Sequence, residues 1–568
     1  MVSNTNTIKI CHQFNESIPA AQEEQDCLTA LFLTNPLDDR QGLTNEKGSR
    51  VDGTCEWIKT NGLYKSWLHS RSQLLWIFGG PGKGKTMLSI FLAEELERSA
   101  KKSQDTLFVQ YFCDNKDEKR NTAVAIVRGL ISQLLSQRPK LFRHILPSFR
   151  TQKESLFANS SLETLWRIFE TMVHDPILGT TNCVLDGLDE CDKASLEVLV
   201  RKFEALFSTK FEKTSTCHLN LIIVSRKLPD FVLGTLLSAP CIQLDADAAD
   251  EVNHDICRFI QAKVNSLSLH RHYPEQLRGH VKNVLLSRAA GTFLWVGIVA
   301  NELRKYTSSE VEKALELFPP GLEGLYDRML LQINDQRRET AAKILRWVVM
   351  AVRPLTLTEL STAIETPARH SLGLGYVETI RDRVSYCGYF LTIKNNEVGL
   401  IHQSAKEYLL RESPHLDSQL EYFRIKGQQA NLEIARKCLN YLQNGVFAAG
   451  EVSQEARHGQ LKDMSSISAF PLFSYAATYW PEHTRSLPSS VDVFNLSLPF
   501  YKEKSPDREF WLKTFWATRE HEDLPESFSL LHLASYFGIV PLAENLLFKK
   551  SLMNRLRFHS SGNKGIVQ

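Results

Sequence analysis

The chain of 568 residues has no C-x-x-C pair, no apolar run long enough to span a bilayer and no excess of either charge sign. Each absence removes a class of protein. Eleven cysteines are scattered from Cys11 to Cys438, and their odd number would leave one thiol unpaired in an oxidising compartment. A cytoplasmic location is therefore the simpler expectation than a secreted disulfide scaffold. The longest apolar stretch, Ala289 to Ala300, is too short for a transmembrane helix. The N-terminal Met-Val-Ser-Asn-Thr-Asn-Thr lacks the basic start and apolar core of a signal peptide, so neither export nor a membrane anchor is expected. A net charge of +2 gives no global reason to bind nucleic acid or an anionic membrane. With 43% hydrophobic and 23% charged residues the composition is that of a globular protein. Its length implies roughly three to five domains.

The organising stretch is Leu74 to Phe91, an apolar strand-like run, a glycine-rich loop and then a helical pattern. Gly79, Gly80, Pro81, Gly82, Lys83, Gly84, Lys85 and Thr86 fit the G-x-x-x-x-G-K-[ST] spacing. In that loop small residues let backbone N–H groups wrap phosphates, the lysine reaches the terminal phosphates and the hydroxyl holds Mg²⁺. The helix that follows adds its positive N-terminal dipole to the same anion site.

After the loop, Leu88, Phe91, Leu92 and Leu96 recur at helical spacing, with Arg98, Lys101 and Lys102 where cations suit a helix C-terminus. Leu107–Phe112, Cys183–Leu185 and Leu219–Val224 read as buried strands, and Ala123–Leu135 as a helix between them. Short apolar runs alternating with helical patterns predict a parallel α/β sheet covered on both faces. The strand at Cys183 runs into Asp186-Gly187-Leu188-Asp189-Glu190, which puts carboxylates at the edge where open α/β sheets bind ligands. Phosphoryl transfer needs one acid to hold Mg²⁺ and another to orient water. Asp186 is the candidate for the metal together with Thr86, and Glu190 or Asp189 for the water. The strand at Leu219 ends in Ser225-Arg226, a candidate hydroxyl for the nucleotide and a guanidinium to read the γ-phosphate. Taken alone, such an arginine reads as a surface ion pair and such acids as a solvated, capped loop.

Together these motifs resemble the NACHT-domain NTPases of the STAND class, fungal type. The resemblance rests on Gly79–Thr86, Asp186–Glu190 and Ser225-Arg226, with Asp38-Asp39-Arg40 and Trp57 upstream. It implies an α/β P-loop domain followed by helical and winged-helix-like domains. The expected division is a flexible tail over 1–26, a helical lead-in over 27–70, the nucleotide domain over 71–245 and a helical domain over 246–320. A winged-helix-like domain over 321–415 and a helical bridging domain over 416–525 follow. Relatives place a Gly-x-Pro element against the nucleotide; Gly291-Thr292-Phe293 has no proline, which puts that contact in doubt. Ile401-His402-Gln403-Ser404-Ala405-Lys406-Glu407-Tyr408-Leu409 matches the family's H-x-S-x-x-x-Y-L pattern. The resemblance implies that His402 contacts the diphosphate in the resting state; the plain reading is a core or capping histidine. The aromatics Phe470, Phe473, Tyr475, Tyr479 and Trp480 read as core, since no basic residues interleave them. Ser529-Leu530-Leu531-His532-Leu533-Ala534 approximates the ankyrin signature, giving one repeat over 526–554 that must dock on the helical block or be the stump of a longer array. Residues 555–568 read as a disordered tail.

The resemblance implies a signal-transducing switch that binds and slowly hydrolyses ATP or GTP with Mg²⁺ and rests with ADP or GDP. Fungal non-self recognition or programmed cell death is the implied setting. Expected partners are the nucleotide, proteins recruited through the C-terminal repeat, and further copies of the chain on activation. Neither nucleic acid nor membrane is expected. The alternatives are a fast ATPase motor and a nucleotide-binding ankyrin-type scaffold with little or no hydrolysis.

Overall fold

The computed structural model describes residues 22–70, 72–207, 218–228, 239–365, 375–446, 470–485, 487–488, 491, 493–517 and 528–547. Two compact units divide the chain, 1–325 and 326–568. The expected tail at 555–568 and most of that at 1–26 lie outside the described residues.

The first unit opens with helix α1 over 22–31, which begins inside the segment expected to be a tail. The reason lies in two interior anchors, since Cys27 and Leu31 recur at helical spacing and are both buried. The buried Arg128 guanidinium then donates to the carbonyls of Ala30 (2.8 Å) and Leu31 (3.3 Å), satisfying acceptors at the helix's open C-terminal end. Helix α2 (Pro36–Lys47) starts on an Asn35 cap with proline at its first position. Its Arg40 pairs with Glu97 (2.6 Å) and Gln110 (3.1 Å). Helix α3 (Gly62–His69) completes the lead-in.

The sheet consists of β1 (Leu74–Phe78), β2 (Thr106–Phe112), β3 (Thr180–Asp186), β4 (Leu219–Ser225) and β5 (Cys241–Gln243), all parallel, in the order β2-β3-β4-β1-β5. Every residue of β1 and β4 is buried, as a sheet covered on both faces requires. Alternate residues Leu74, Trp76, Leu107, Val109, Leu185, Leu221 and Ile223 join one core with α5 (Ala123–Gln137), α6 (Phe142–Gln152), α7 (Leu162–Val173) and α8 (Lys193–Phe207). The opposite face meets α4 (Lys85–Ala100), the helix that leaves the phosphate loop. The three-residue strand β5 has no counterpart in the sequence reading, because so short a run carries no periodicity.

Register then determines where the chemistry falls. Phe78 lies opposite Ser225 and Gln243, and Asp186 opposite Phe112 and Val224, so five strands end together at one edge. Helices α9 (Ala249–Arg271), α10 (Glu275–Arg288), α11 (Phe293–Leu303) and α12 (Val311–Glu316) follow the sheet. Gly291, with φ at +69°, separates α10 from α11.

In the second unit, helix Asp335–Met350 precedes a three-stranded antiparallel sheet of β6 (Leu355–Thr356), β7 (Leu391–Lys394) and β8 (Glu397–Leu400), ordered β6-β8-β7. Thr356 and Glu359 form a capping box at the start of helix Leu357–Ala363. Further along, Phe473, Tyr475 and Trp480 are buried, and Trp480 packs against Trp511 with centroids 5.4 Å apart. Those aromatics are core. Helix Leu530–Tyr536 and a second over 540–547 dock on this cluster through Phe537, whose ring lies 4.9 Å from Phe515 and 5.6 Å from Trp511. No helix among the described residues is long and apolar enough to cross a membrane.

Candidate nucleotide site

The loop Gly79–Thr86 sits between β1 and α4 at the C-terminal edge of the sheet. Gly84 caps α4 with φ at +80°, a left-handed conformation costly for any side chain. A Cβ added there would also lie 3.1 Å from the Phe293 ring. Lys85 turns its ammonium into the loop, donating to the carbonyls of Gly79 (2.8 Å) and Gly80 (2.7 Å). Burial lowers its pKa, as does Arg226 to a smaller extent, against the raising influence of Asp189, Asp186 and Asp245.

Asp186 is the last residue of β3 and is 5% exposed. Ser89 Oγ donates to its Oδ1 at 2.7 Å, and the Thr86 hydroxyl also hydrogen-bonds it. Burial nonetheless pushes the carboxyl up to about 6, with Asp189 adding to the rise and the two hydroxyls and Lys85 opposing it. Two hydroxyls and a carboxylate, all hard oxygen donors, stand beside a loop of backbone N–H groups. That donor set fits a Mg²⁺ ion shared between one carboxylate and a phosphate. No group of three or more His, Cys, Asp or Glu able to hold a metal on its own occurs among the described residues.

The two water-orienting candidates separate. Asp189 Oδ1 accepts the backbone N–H of Arg226 at 2.9 Å, and its Oδ2 lies 3.4 Å from the Arg226 guanidinium. Glu190 Oε2 accepts a long bond from Asn115 N–H (3.3 Å). Its pKa is raised to about 7, first by burial and then by Asp189, Asp114 and Asp186.

Ser225 departs from the expectation. Its hydroxyl accepts from Trp76 Nε1 at 2.9 Å and donates to the Arg226 carbonyl at 2.7 Å, and the residue is 1% exposed. The side chain is spent inside the sheet, where it satisfies a buried indole, instead of facing the crevice.

One contributor escaped the sequence reading. Asp245, just after β5, accepts the Gly80 N–H at 2.6 Å and lies 3.3 Å from Lys83 Nζ. The segment before α11 reaches the loop as well, with Phe293 N–H donating to the Gly82 carbonyl at 2.8 Å. Gly291 leaves room for Lys83, whose Nζ would be 2.7 Å from a Cβ at that position. The missing proline therefore does not prevent contact with the phosphate loop, because a backbone N–H, which proline lacks, makes the bond. His402 belongs to the second unit. There it caps helix Gln403–Leu409, its Nδ1 accepting from Ser404 N–H at 3.1 Å and lying 2.7 Å from Ser404 Oγ.

A phosphate loop after the first strand, an acid-tipped strand β3 and β4 inserted between them define a P-loop NTPase. Comparison with known proteins refines this. Residues 53–226 match the family model described as nephrocystin 3, N-terminal, and residues 326–422 that of the GPI inositol-deacylase winged helix domain. The chain is 32% identical over 489 residues to the vegetative incompatibility protein HET-E-1 of Podospora anserina, covering 83% of this chain and 35% of that protein. It is 27% identical over 256 residues to the azaphilone pigments biosynthesis cluster protein L of Monascus ruber, covering 42% of this chain and 50% of that one. It thus spans about a third and half of the lengths of these curated relatives. The chain belongs to the NACHT-type P-loop NTPases of the STAND class, fungal type. Among solved structures, a Walker-type ATPase of Pyrococcus abyssi aligns at 13% identity and a TM-score of 0.29, covering 62% of this chain and 94% of that one.

Proposed function

We propose that the chain is a nucleotide-dependent molecular switch that binds ATP or GTP with Mg²⁺ and hydrolyses it slowly. The observation that carries the reading is the convergence of Lys85, Thr86, Ser89 and Asp186 at one sheet edge, with Phe293 tying the same loop to the following helices. Such a tether lets the presence of a γ-phosphate bias a neighbouring element, which is how NTPase switches work.

The loop N–H groups and Lys85 bind the phosphates, while Thr86 and Asp186 hold Mg²⁺. The metal supplies charge neutralisation at the phosphate oxygens. Glu190 orients the attacking water and takes its proton, a role suited to a carboxyl raised to about 7 with one weak hydrogen bond. Asp189 holds Arg226 toward the γ-phosphate. Protein partners act through the C-terminal helices, activation assembles copies of the chain in the cytoplasm, and the relative's printed role in vegetative incompatibility suggests the biological setting.

The test is to denature the purified protein and identify the released nucleotide and its stoichiometry by chromatography. A near-stoichiometric diphosphate is expected. An empty protein that also fails to bind added ATP or GTP with Mg²⁺ refutes the switch and leaves a scaffold.

A further inference from the structure

We propose that Cys113 and Cys191 form a reversible disulfide that moves the acidic turn of the nucleotide site. Their sulfurs are 3.9 Å apart, and the residues are 7% and 9% exposed. Cys113 follows the last residue of β2 and is bolted to the sheet by its N–H, which donates to the Asp186 carbonyl at 2.9 Å. Cys191 ends the short turn Leu188–Glu190, so it is bonded directly to Glu190. A disulfide places its sulfurs about 2.05 Å apart, so closure requires roughly 2 Å of movement. Cys113 is held in the sheet, so whatever part of that movement side-chain rotation does not supply falls on the turn carrying Asp189 and Glu190. A shift of about 1 Å in catalytic geometry can cost on the order of 100-fold in rate.

The oxidant is hydrogen peroxide, compact enough for a nearly buried pair. The Cys191 thiolate attacks one peroxide oxygen, the O–O bond breaks, and the departing hydroxide takes a proton to leave as water, giving a sulfenic acid. The Cys113 sulfur then attacks the Cys191 sulfur, the S–S bond forms, the S–O bond breaks and a second water leaves. Two thiols are oxidised by two electrons and one peroxide is reduced to two waters. Intracellular disulfides of this transient kind are characteristically sensors.

The experiment treats the full chain with graded hydrogen peroxide, alkylates it and maps peptides by mass spectrometry. A Cys113–Cys191 cross-linked peptide, reversed by dithiothreitol, is expected; it is absent from Cys191→Ser and retained in Cys257→Ser, which removes an exposed thiol. Peroxide that fully oxidises Cys257 without producing the cross-link overturns the proposal. The effect on turnover rests on the nucleotide-switch reading, whereas the cross-link is read by mass alone, so the two fail separately. Turnover should drop at least tenfold in the cross-linked protein, with a smaller change in nucleotide retention. Unchanged turnover in fully cross-linked protein overturns the movement of the turn.

Discussion

Replacing Asp186 with asparagine should stabilise the nucleotide-free protein while removing its response to Mg²⁺. Burial lifts this carboxyl from 3.8 to about 6, a shift of roughly 2 pK units. At about 1.4 kcal/mol per unit, the ionised form costs the folded state about 3 kcal/mol. Because the folded protein holds the proton more tightly than the unfolded chain, the cost is absent below the unfolded value near 4. It grows as pH rises from about 4 to 6 and is complete above that window. Asparagine keeps an oxygen to accept from Ser89 and carries no charge. For a unit of this size, about 3 kcal/mol corresponds to roughly 5–10 °C in Tm. The assay is calorimetry or circular dichroism of nucleotide-stripped wild type and Asp186→Asn between pH 5 and 8. The difference should be largest at pH 8 and about half as large at pH 5. Adding Mg²⁺ with nucleotide should then raise the wild-type Tm more than that of the variant. A variant no more stable than wild type at pH 8, or a gain independent of pH, would refute the reasoning.

Lys85→Ala should abolish nucleotide retention, and unchanged affinity by calorimetry would remove Lys85 from the phosphate site. Glu190→Gln should bind nucleotide normally yet lose at least tenfold in turnover; if Asp189→Asn is the one that loses turnover with binding intact, the water belongs to Asp189. Gly84→Ala combines a left-handed backbone with a 3.1 Å approach to Phe293, and should weaken nucleotide binding while lowering stability by about 1–2 kcal/mol, measured by denaturant titration.

Much of the site was legible before the fold was known. The phosphate loop announces itself because its chemistry is local: glycines, lysine and hydroxyl all lie within one turn between strand and helix. Asp186 was legible by its place after an apolar run, since strand ends collect at one edge. Asp245 was not, because it reaches the loop only by tertiary folding from more distant sequence. Ser225 shows the opposite error: its position at a strand end suggested the crevice, but alternation of side chains across the strand sends it to Trp76.

What the amino-acid sequence determined by itself was the class, a P-loop α/β domain followed by helices, because strand and helix periods and a contiguous phosphate motif are properties of neighbouring residues. The tertiary structure alone decided how the acids divide their work. Asp189 and Glu190 are adjacent in the chain and chemically alike, and only the approach of Arg226 to one and Asn115 to the other makes them different. It likewise decided that two cysteines far apart in sequence meet beside those acids, since the parallel pairing of β2 with β3 brings their ends to the same edge.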